Sequence, residues 1–316
     1  MHAPAPVPPL WLRAASAVVP RLPAGRYRVM NALVRVPTVP FVAELRRAGP
    51  GVRFECDLRN GLAREVFFTG QYEPQETLLL EALLKPGDAF VDVGAHWGYF
   101  SLLASDRVGP AGRVLSVEAD PRIHAILARN RQLNPAFRHW ETVHVAAAEG
   151  EGEVELEGFH EQGDNWGISR IGAKLAEGAP RFRVGTSSVD ALLDARGLGE
   201  VALLKMDIEG AEWLALRGMA EGIRAGRYQR LMLELHPEAV AGLGGTVEAL
   251  AGMLREAGYR GLSVRHDAAA VREAAYGRGL RAADFLGPLE PGAPVDAWPH
   301  QLWLAPGVDV PPGVTR

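Results

Sequence analysis

Ala89-Phe-Val-Asp-Val-Gly-Ala-His-Trp-Gly-Tyr-Phe-Ser101 is the stretch from which the rest of the chain is read. Phe90, Val91 and Val93 are residues that a buried strand favours, and Asp92 sets a carboxylate among them. Gly94 closes the strand, Gly98 lies one helical turn on, and a helical pattern starts at Tyr99. The order is strand, glycine turn, helix N-terminus. In such a turn the backbone can approach a ligand closely, and the free N–H groups favour electron-rich atoms.

The spacing is Asp-x-Gly-x-x-x-Gly, which lacks the three close glycines that clear a pyrophosphate in a dinucleotide fold. His96 stands where bare backbone would be needed, and Asp92 would repel a phosphate. An acid in that place suits a cationic ligand. The pattern points away from a nicotinamide dinucleotide and toward S-adenosyl-L-methionine, which carries a sulfonium, an ammonium and a carboxylate. Gly112 to Asp120 reads as a second strand ending in acids, with Pro121 placed to start a helix. Glu118 lies 24 residues after Gly94, the spacing at which an acid at a strand tip meets a ribose diol. Asp120 reads as a helix N-terminal acid.

The 316 residues suffice for one large α/β domain or two modest ones, and 47% hydrophobic residues support a real core. A net charge of −4 gives no electrostatic case for nucleic acid or anionic lipid. Cys56 is the single cysteine, which excludes an intrachain disulfide and a cysteine-rich zinc site and fits a reducing cytoplasm. No apolar run reaches the about 18 residues of a membrane span, and Arg13 with several prolines breaks any signal-peptide core.

Met1 to Arg47 is proline-rich and basic, with no acid before Glu44. It reads as an extension packed on the main domain, a substrate-covering cap, or a contact to a homodimer mate, partner or membrane. Val52 to Phe68 reads as a β-hairpin turning at Arg59-Asn60-Gly61. The expected division is residues 1–70 as extension and hairpin, and 71–316 as the main domain. Pro74 starts a helix through Leu84, and Tyr72 and Glu73 precede it within reach of the cofactor. Further strands are expected around Thr142–Ala147, Glu153–Leu156, Arg181–Thr186, Val201–Asp207, Arg230–Leu235, Tyr259–Val264 and His300–Leu304, with helices between most of them. That alternation implies a mostly parallel sheet with helices on both faces. Between the second and third of these lies a long polar insert, Gly158 to Pro180.

Four blocks carry a family resemblance: Phe90 to Ser101, Val117-Glu-Ala-Asp-Pro121, Leu204-Lys-Met-Asp-Ile-Glu-Gly-Ala-Glu212 and Leu231-Met-Leu-Glu-Leu-His-Pro237. With Phe68-Thr-Gly-Gln-Tyr-Glu-Pro74 ahead of them, the chain from about Val52 to Leu304 resembles the FkbM-family S-adenosylmethionine-dependent methyltransferases. The Lys-x-Asp-x-Glu-Gly-x-Glu block is the most diagnostic. His96 departs from the asparagine common in the family, and either side chain can hydrogen-bond. The resemblance implies a Rossmann-like class I methyltransferase fold and methyl transfer, commonly to a hydroxyl. It implies a cofactor set of Tyr72, Glu73, Asp92, Gly94, Ala95, His96, Gly98, Tyr99, Glu118, Ala119, Ala146 and Asp207.

Ligands of open α/β sheets sit beyond the carboxyl ends of the strands, which gathers Asp92, Glu118, Asp207, Glu209, Glu234 and His236 around one crevice. A hydroxyl acceptor needs a base or a metal. His236 is the natural base and Asp207 its alternative; Asp207 with Glu234 or His236 could instead hold a divalent cation. Lys205 either joins this catalytic set with Glu209 or ties the acids into an ion pair. The expected acceptor is a small molecule, a sugar, glycoside or polyketide-like natural product methylated on oxygen. Trp166, Asn165 and Arg170 of the insert would contact it, with Asp164 alongside. N-methylation of a small molecule or peptide, a non-catalytic binding module and a nicotinamide-dependent oxidoreductase are the competing readings.

Overall fold

Residues 6–22, 25–33, 39–159, 169–171, 179–276, 279–289 and 299–310 are described in a computed structural model of the chain. In chain order the helices are α1 (Leu10–Val18), α2 (Arg26–Leu33), α3 (Gly61–Thr69), α4 (Pro74–Leu83), α5 (Tyr99–Val108), α6 (Pro121–Leu133), α7 (Val189–Asp194), α8 (Glu212–Gly218), α9 (Ala220–Arg224), α10 (Pro237–Gly242), α11 (Val247–Glu256) and α12 (Ala268–Tyr276). The strands are β1 (Phe41–Glu44), β2 (Arg53–Cys56), β3 (Ala89–Val93), β4 (Arg113–Glu118), β5 (Trp140–His144), β6 (Ala146–Ala147), β7 (Gly152–Glu157), β8 (Arg170–Ile171), β9 (Arg181–Ser187), β10 (Leu203–Met206), β11 (Arg230–Glu234), β12 (Arg260–Val264), β13 (Leu286–Pro288) and β14 (His300–Leu304).

The main sheet has the order β13-β12-β14-β11-β10-β3-β4-β5. Its parallel half, β11-β10-β3-β4-β5, is flanked by antiparallel β14, β12 and β13. Strand side chains alternate between faces, so each strand feeds two cores. Phe90, Val114, Leu203 and Met232 join residues of α1 to α6 on one face. Val91, Leu115, Leu204 and Leu231 join residues of α7 to α11 on the other. This is the Rossmann-like class I arrangement expected from the sequence. No helix among the described residues is long and apolar enough to cross a membrane.

Two expectations are corrected. Residues 52–68 do not form a hairpin. β2 pairs backward with β1, Phe41 opposite Cys56, and the residues after Asn60 form α3. Asn60 has an extended backbone rather than the left-handed one that a two-residue hairpin turn needs, and its side chain accepts the Ala63 N–H at 2.9 Å. Ala63, Val66 and Phe67 then face the core at helical spacing. The extension is packed in the same core as the main domain: Leu12, Val19, Met30, Phe41 and Phe54 are buried with Leu80, Phe90 and Leu102. The expected strand at 142–147 is also two strands. β4 ends at Glu118, so β5 runs out of main-sheet partner at His144, and Ala146 and Ala147 pair with β9 in a second sheet of order β6-β9-β7-β8.

Asn60→Ala removes a buried N-cap and should cost about 1 kcal/mol of stability, whereas Asn60→Asp should cost little. Urea denaturation monitored by far-UV circular dichroism measures both. Equal stability of the alanine variant would mean that the cap does not hold α3.

Candidate functional site

β3, β4, β10 and β11 run parallel, so their carboxyl ends open together on one side of the sheet. A cavity of about 600 Å³ lies there. Its walls include Tyr72, Glu73, Gly94, Ala95, His96, Tyr99, Glu118, Ala119, Ala146, Arg170, Lys205, Asp207, Glu209, Glu234 and His236. These are nearly all of the residues that the sequence singled out.

Two expected cofactor residues, Asp92 and Gly98, are not on the wall. Asp92 is turned into the sheet interior, where it accepts a hydrogen bond from Ser101 Oγ at 2.5 Å. Ser101 in turn meets Ser116 Oγ, which accepts from Trp140 Nε1. Asp92 therefore anchors a buried polar chain across β3, α5, β4 and β5. Burial lifts its carboxyl to about 6, against the pull of Lys205. Gly98 packs: a Cβ there would stand 2.7 Å from Leu127 Cδ1. Gly94 is on the wall, yet its bareness serves the fold as well, since a Cβ would meet the Asp207 carbonyl oxygen at 1.9 Å. Trp166, Asn165 and Asp164 lie outside the described residues.

Strain marks the same place. Glu73 (φ 40°), His96 (φ 51°) and Glu209 (φ 53°) are the non-glycine residues with positive φ among those described, and all three line the cavity. Such backbones cost of order 1–3 kcal/mol each and persist where the surroundings over-determine them. Histidine is among the residues that tolerate the left-handed region. The His96 N–H donates to Glu118 Oε2 at 2.8 Å, and Asp120 N–H donates to Oε1 at 2.8 Å. Glu118 is thus aimed by two backbone donors while each oxygen keeps a lone pair for a ligand. Burial pushes its carboxyl up to about 7. The His96 ring is neutral, held down to about 4 by burial, and its Nδ1 makes no hydrogen bond.

Lys205 is the buried cation of the site. Its Nζ lies 3.5 Å from Asp207 Oδ2, 3.6 Å from Glu73 Oε2 and 4.7 Å from the centre of the Phe100 ring. Burial opposes its charge, but Glu73, Asp207, Glu234 and Asp92 together hold the ammonium ionised. One ammonium does not neutralise four carboxyls. Burial, with Asp207 and Glu73 as neighbours, pushes Glu234 up to about 10. Glu73 is likewise raised by burial, and its Oε2 makes no hydrogen bond. The cavity is electrostatically short of a cation.

On the far side, Glu212 is fully buried and shapes the turn after β10, its Oε1 accepting the N–H groups of Ile208 and Gly210. The same oxygen lies 3.1 Å from His236 Nδ1. The other ring nitrogen, Nε2, stands 3.5 Å from Glu209 Oε2 and 4.0 Å from Glu234 Oε1. Burial disfavours the imidazolium, yet Glu212, Asp207 and Glu209 raise the His236 pKa above its ordinary value. Glu209 also faces Arg170 at 3.3 Å. Asp207 and His236 do converge, as adjacent strand ends should bring them. Asp207 was expected to hold a divalent cation with Glu234 or with His236, and each pairing falls in a cluster of donor atoms, Asp207 and His236 with Glu209, and Asp207 and Glu234 with Glu73. Glu212 was legible only as part of a motif; its orienting role needs the folded turn. His266 and His300, to which the sequence assigned nothing, meet Glu76 beside a second cavity of about 610 Å³ that shares Tyr72, Glu73 and Glu234 with the first.

The family described as Methyltransferase FkbM domain matches residues 92–260. AMB antimetabolite synthetase AmbE of Pseudomonas aeruginosa is 26% identical over 219 residues, 60% of this chain and 10% of that protein. Methyltransferase sdnD of Sordaria araneosa is 30% identical over 162 residues, 43% of this chain and 62% of that protein. The chain thus spans less than two thirds of the length of either relative. Among solved structures, methyltransferase FkbM from Methylobacillus flagellatus KT is 17% identical with a TM-score of 0.42, covering 76% of this chain and 52% of that one.

Lys205→Met leaves the surrounding carboxyls without their cation and should cost roughly 3–5 kcal/mol. Urea denaturation at neutral pH reads this. A loss below about 1 kcal/mol would mean that Lys205 is not the counter-ion of the cluster.

Proposed function

Because the chain belongs to the FkbM family of methyltransferases, we propose that the cavity at the strand ends holds S-adenosyl-L-methionine and that the methyl goes to a hydroxyl oxygen of a small molecule. The observation that carries this reading is the surplus of carboxyls around Lys205 beside an imidazole nitrogen that faces the cavity. A cationic ligand relieves that surplus, and Glu73 Oε2 is a buried acceptor with no hydrogen bond of its own. The cavity volume suits a nucleoside-sized ligand. Glu118 would take the ribose diol, since a carboxylate accepts from two hydroxyls. Tyr72, Glu73, Gly94, Ala95, His96, Tyr99, Ala119, Ala146 and Asp207 would form the rest of the cofactor wall.

When bound, S-adenosylmethionine supplies an electrophilic methyl on a positively charged sulfur. The chain's own residues have to position the acceptor oxygen and remove its proton. Glu212 holds Nδ1–H of His236, which leaves Nε2 as the free base toward the cavity. The proton moves from the acceptor hydroxyl to Nε2 as the oxygen takes the methyl. Asp207 and Glu209 stabilise the imidazolium so formed. Lys205 acts by holding Asp207 and Glu73 in place, and Arg170 by holding Glu209.

A sugar, a glycoside or a polyketide-like natural product fits this chemistry, because carboxylates and an imidazole hydrogen-bond hydroxyls well. The net charge of −4 does not favour a nucleic acid. The name of the antimetabolite synthetase among the relatives supports a natural-product setting. The acidic wall also favours an amine-bearing acceptor, which makes N-methylation the second reading.

Two outcomes are expected. With labelled cofactor, a screen of glycosides, macrolides, amines and peptides should place label on oxygen; label on nitrogen alone would select the second reading. Cofactor affinity should fall about tenfold from pH 8 to pH 6, because a carboxyl titrating near 7 goes from about nine-tenths to about one-tenth ionised. Calorimetry on Glu118→Gln should show that slope flattened and affinity reduced by one to two decades, ~1.5–3 kcal/mol. Unchanged affinity with the fold intact would put the ribose elsewhere.

A further inference from the structure

Glu76 is an acid in the first turn of α4, and such acids ordinarily face solvent. Here it is 2% exposed. Two imidazoles stand against it instead. His300 Nδ1 lies 2.9 Å from Oε1, and His266 Nε2 lies 3.5 Å from Oε2. The two rings stack with centres 3.8 Å apart, and His266 Nε2 is itself buried without a hydrogen bond. The three residues come from α4, from the turn after β12 and from the start of β14, so only the fold assembles them.

We infer that Glu76, His266 and His300 form a binding site for a divalent transition-metal ion. Atoms bound to one ion at about 2.0–2.2 Å sit roughly 3–3.5 Å from one another, and each histidine nitrogen stands at about that distance from one oxygen of Glu76. One donor atom from each residue falls within 4.8 Å of those of the other two. Two imidazoles with one carboxylate select zinc, cobalt, manganese or iron(II) over magnesium or calcium, which prefer oxygen donors throughout.

The surroundings complete the site. The second nitrogen of His300, Nε2, lies 3.7 Å from Glu234 Oε1, so that carboxyl stands behind the ring. Glu234 lies on the walls of both cavities. His266 and His300 line the second cavity, so positions on the ion not taken by protein would open onto it. This site is distinct from the Asp207, Glu209 and His236 group, and it does not depend on what the methyl acceptor is.

The test uses the full chain freed of metal by chelation and dialysis, then titrated with Zn²⁺, Co²⁺ and Mn²⁺ by calorimetry, with bound metal counted by elemental analysis. One equivalent should bind, and the Co²⁺ form should show visible absorption and paramagnetically shifted signals from two histidine rings. His266 is about a quarter exposed, so His266→Ala should fold; it should weaken binding about tenfold or more, as should Glu76→Gln. His236→Ala should leave affinity unchanged. No stoichiometric binding to the unaltered chain would overturn the site. So would binding that survives His266→Ala in a folded protein, or binding lost in His236→Ala instead. Should Glu76→Gln unfold, the histidine signals of the unaltered Co²⁺ form and the His266→Ala titration still decide.

Discussion

The site depends on one buried ammonium. Lys205 and Asp92 are register partners on β10 and β3, so the charge sits inside the sheet from which the cavity opens. Glu73 and Asp207 reach it from the rim, and the Phe100 ring covers it. A buried charge is tolerated only when paired, and here the pairing is oversupplied. The carboxyls around it are raised, Glu234 to about 10 and Asp92 to about 6, burial being the main cause in both. That excess is the feature a cationic ligand would meet on entering.

Backbone constraint delivers the side chains to this point. The β3 and β10 chains approach so closely at their ends that Gly94 alone fits beside the Asp207 carbonyl. The next turn must bend sharply to start α5, which places His96 in the left-handed region and points its N–H at Glu118. The turn after β10 does the same with Glu209, secured by Glu212. Among the described residues, non-glycine backbones with positive φ thus lie on the ligand side, above the two hydrophobic cores.

Glu212 joins fold and chemistry. The oxygen that satisfies the turn also faces His236 Nδ1, so the ring cannot rotate without loosening the turn that presents Glu209 and, just before it, Asp207. The other ring nitrogen, Nε2, is turned toward Glu209 and Glu234.

The sequence by itself determined the strand, turn and helix at 89–101, the acids at the ends of four strands and the alternation that makes the sheet parallel. These are local patterns, set by side-chain period, by glycine and by helix caps. Tertiary structure decided the rest. Asp92 looked like a ligand group because an acid beside a glycine turn suits a cationic ligand, but the pleat of β3 turns it to Ser101 inside the sheet, with Lys205 its register partner. Residues 52–68 carried a plausible turn signal, yet pairing of β2 with β1 and burial of Val66 and Phe67 made the Asn60 turn a helix start. Glu76, His266 and His300 are separated by up to 224 residues, and no spacing rule links them. Antiparallel β14, lying between β11 and β12, brings them together, because which strands become neighbours is settled by burial across the whole sheet rather than within any one segment.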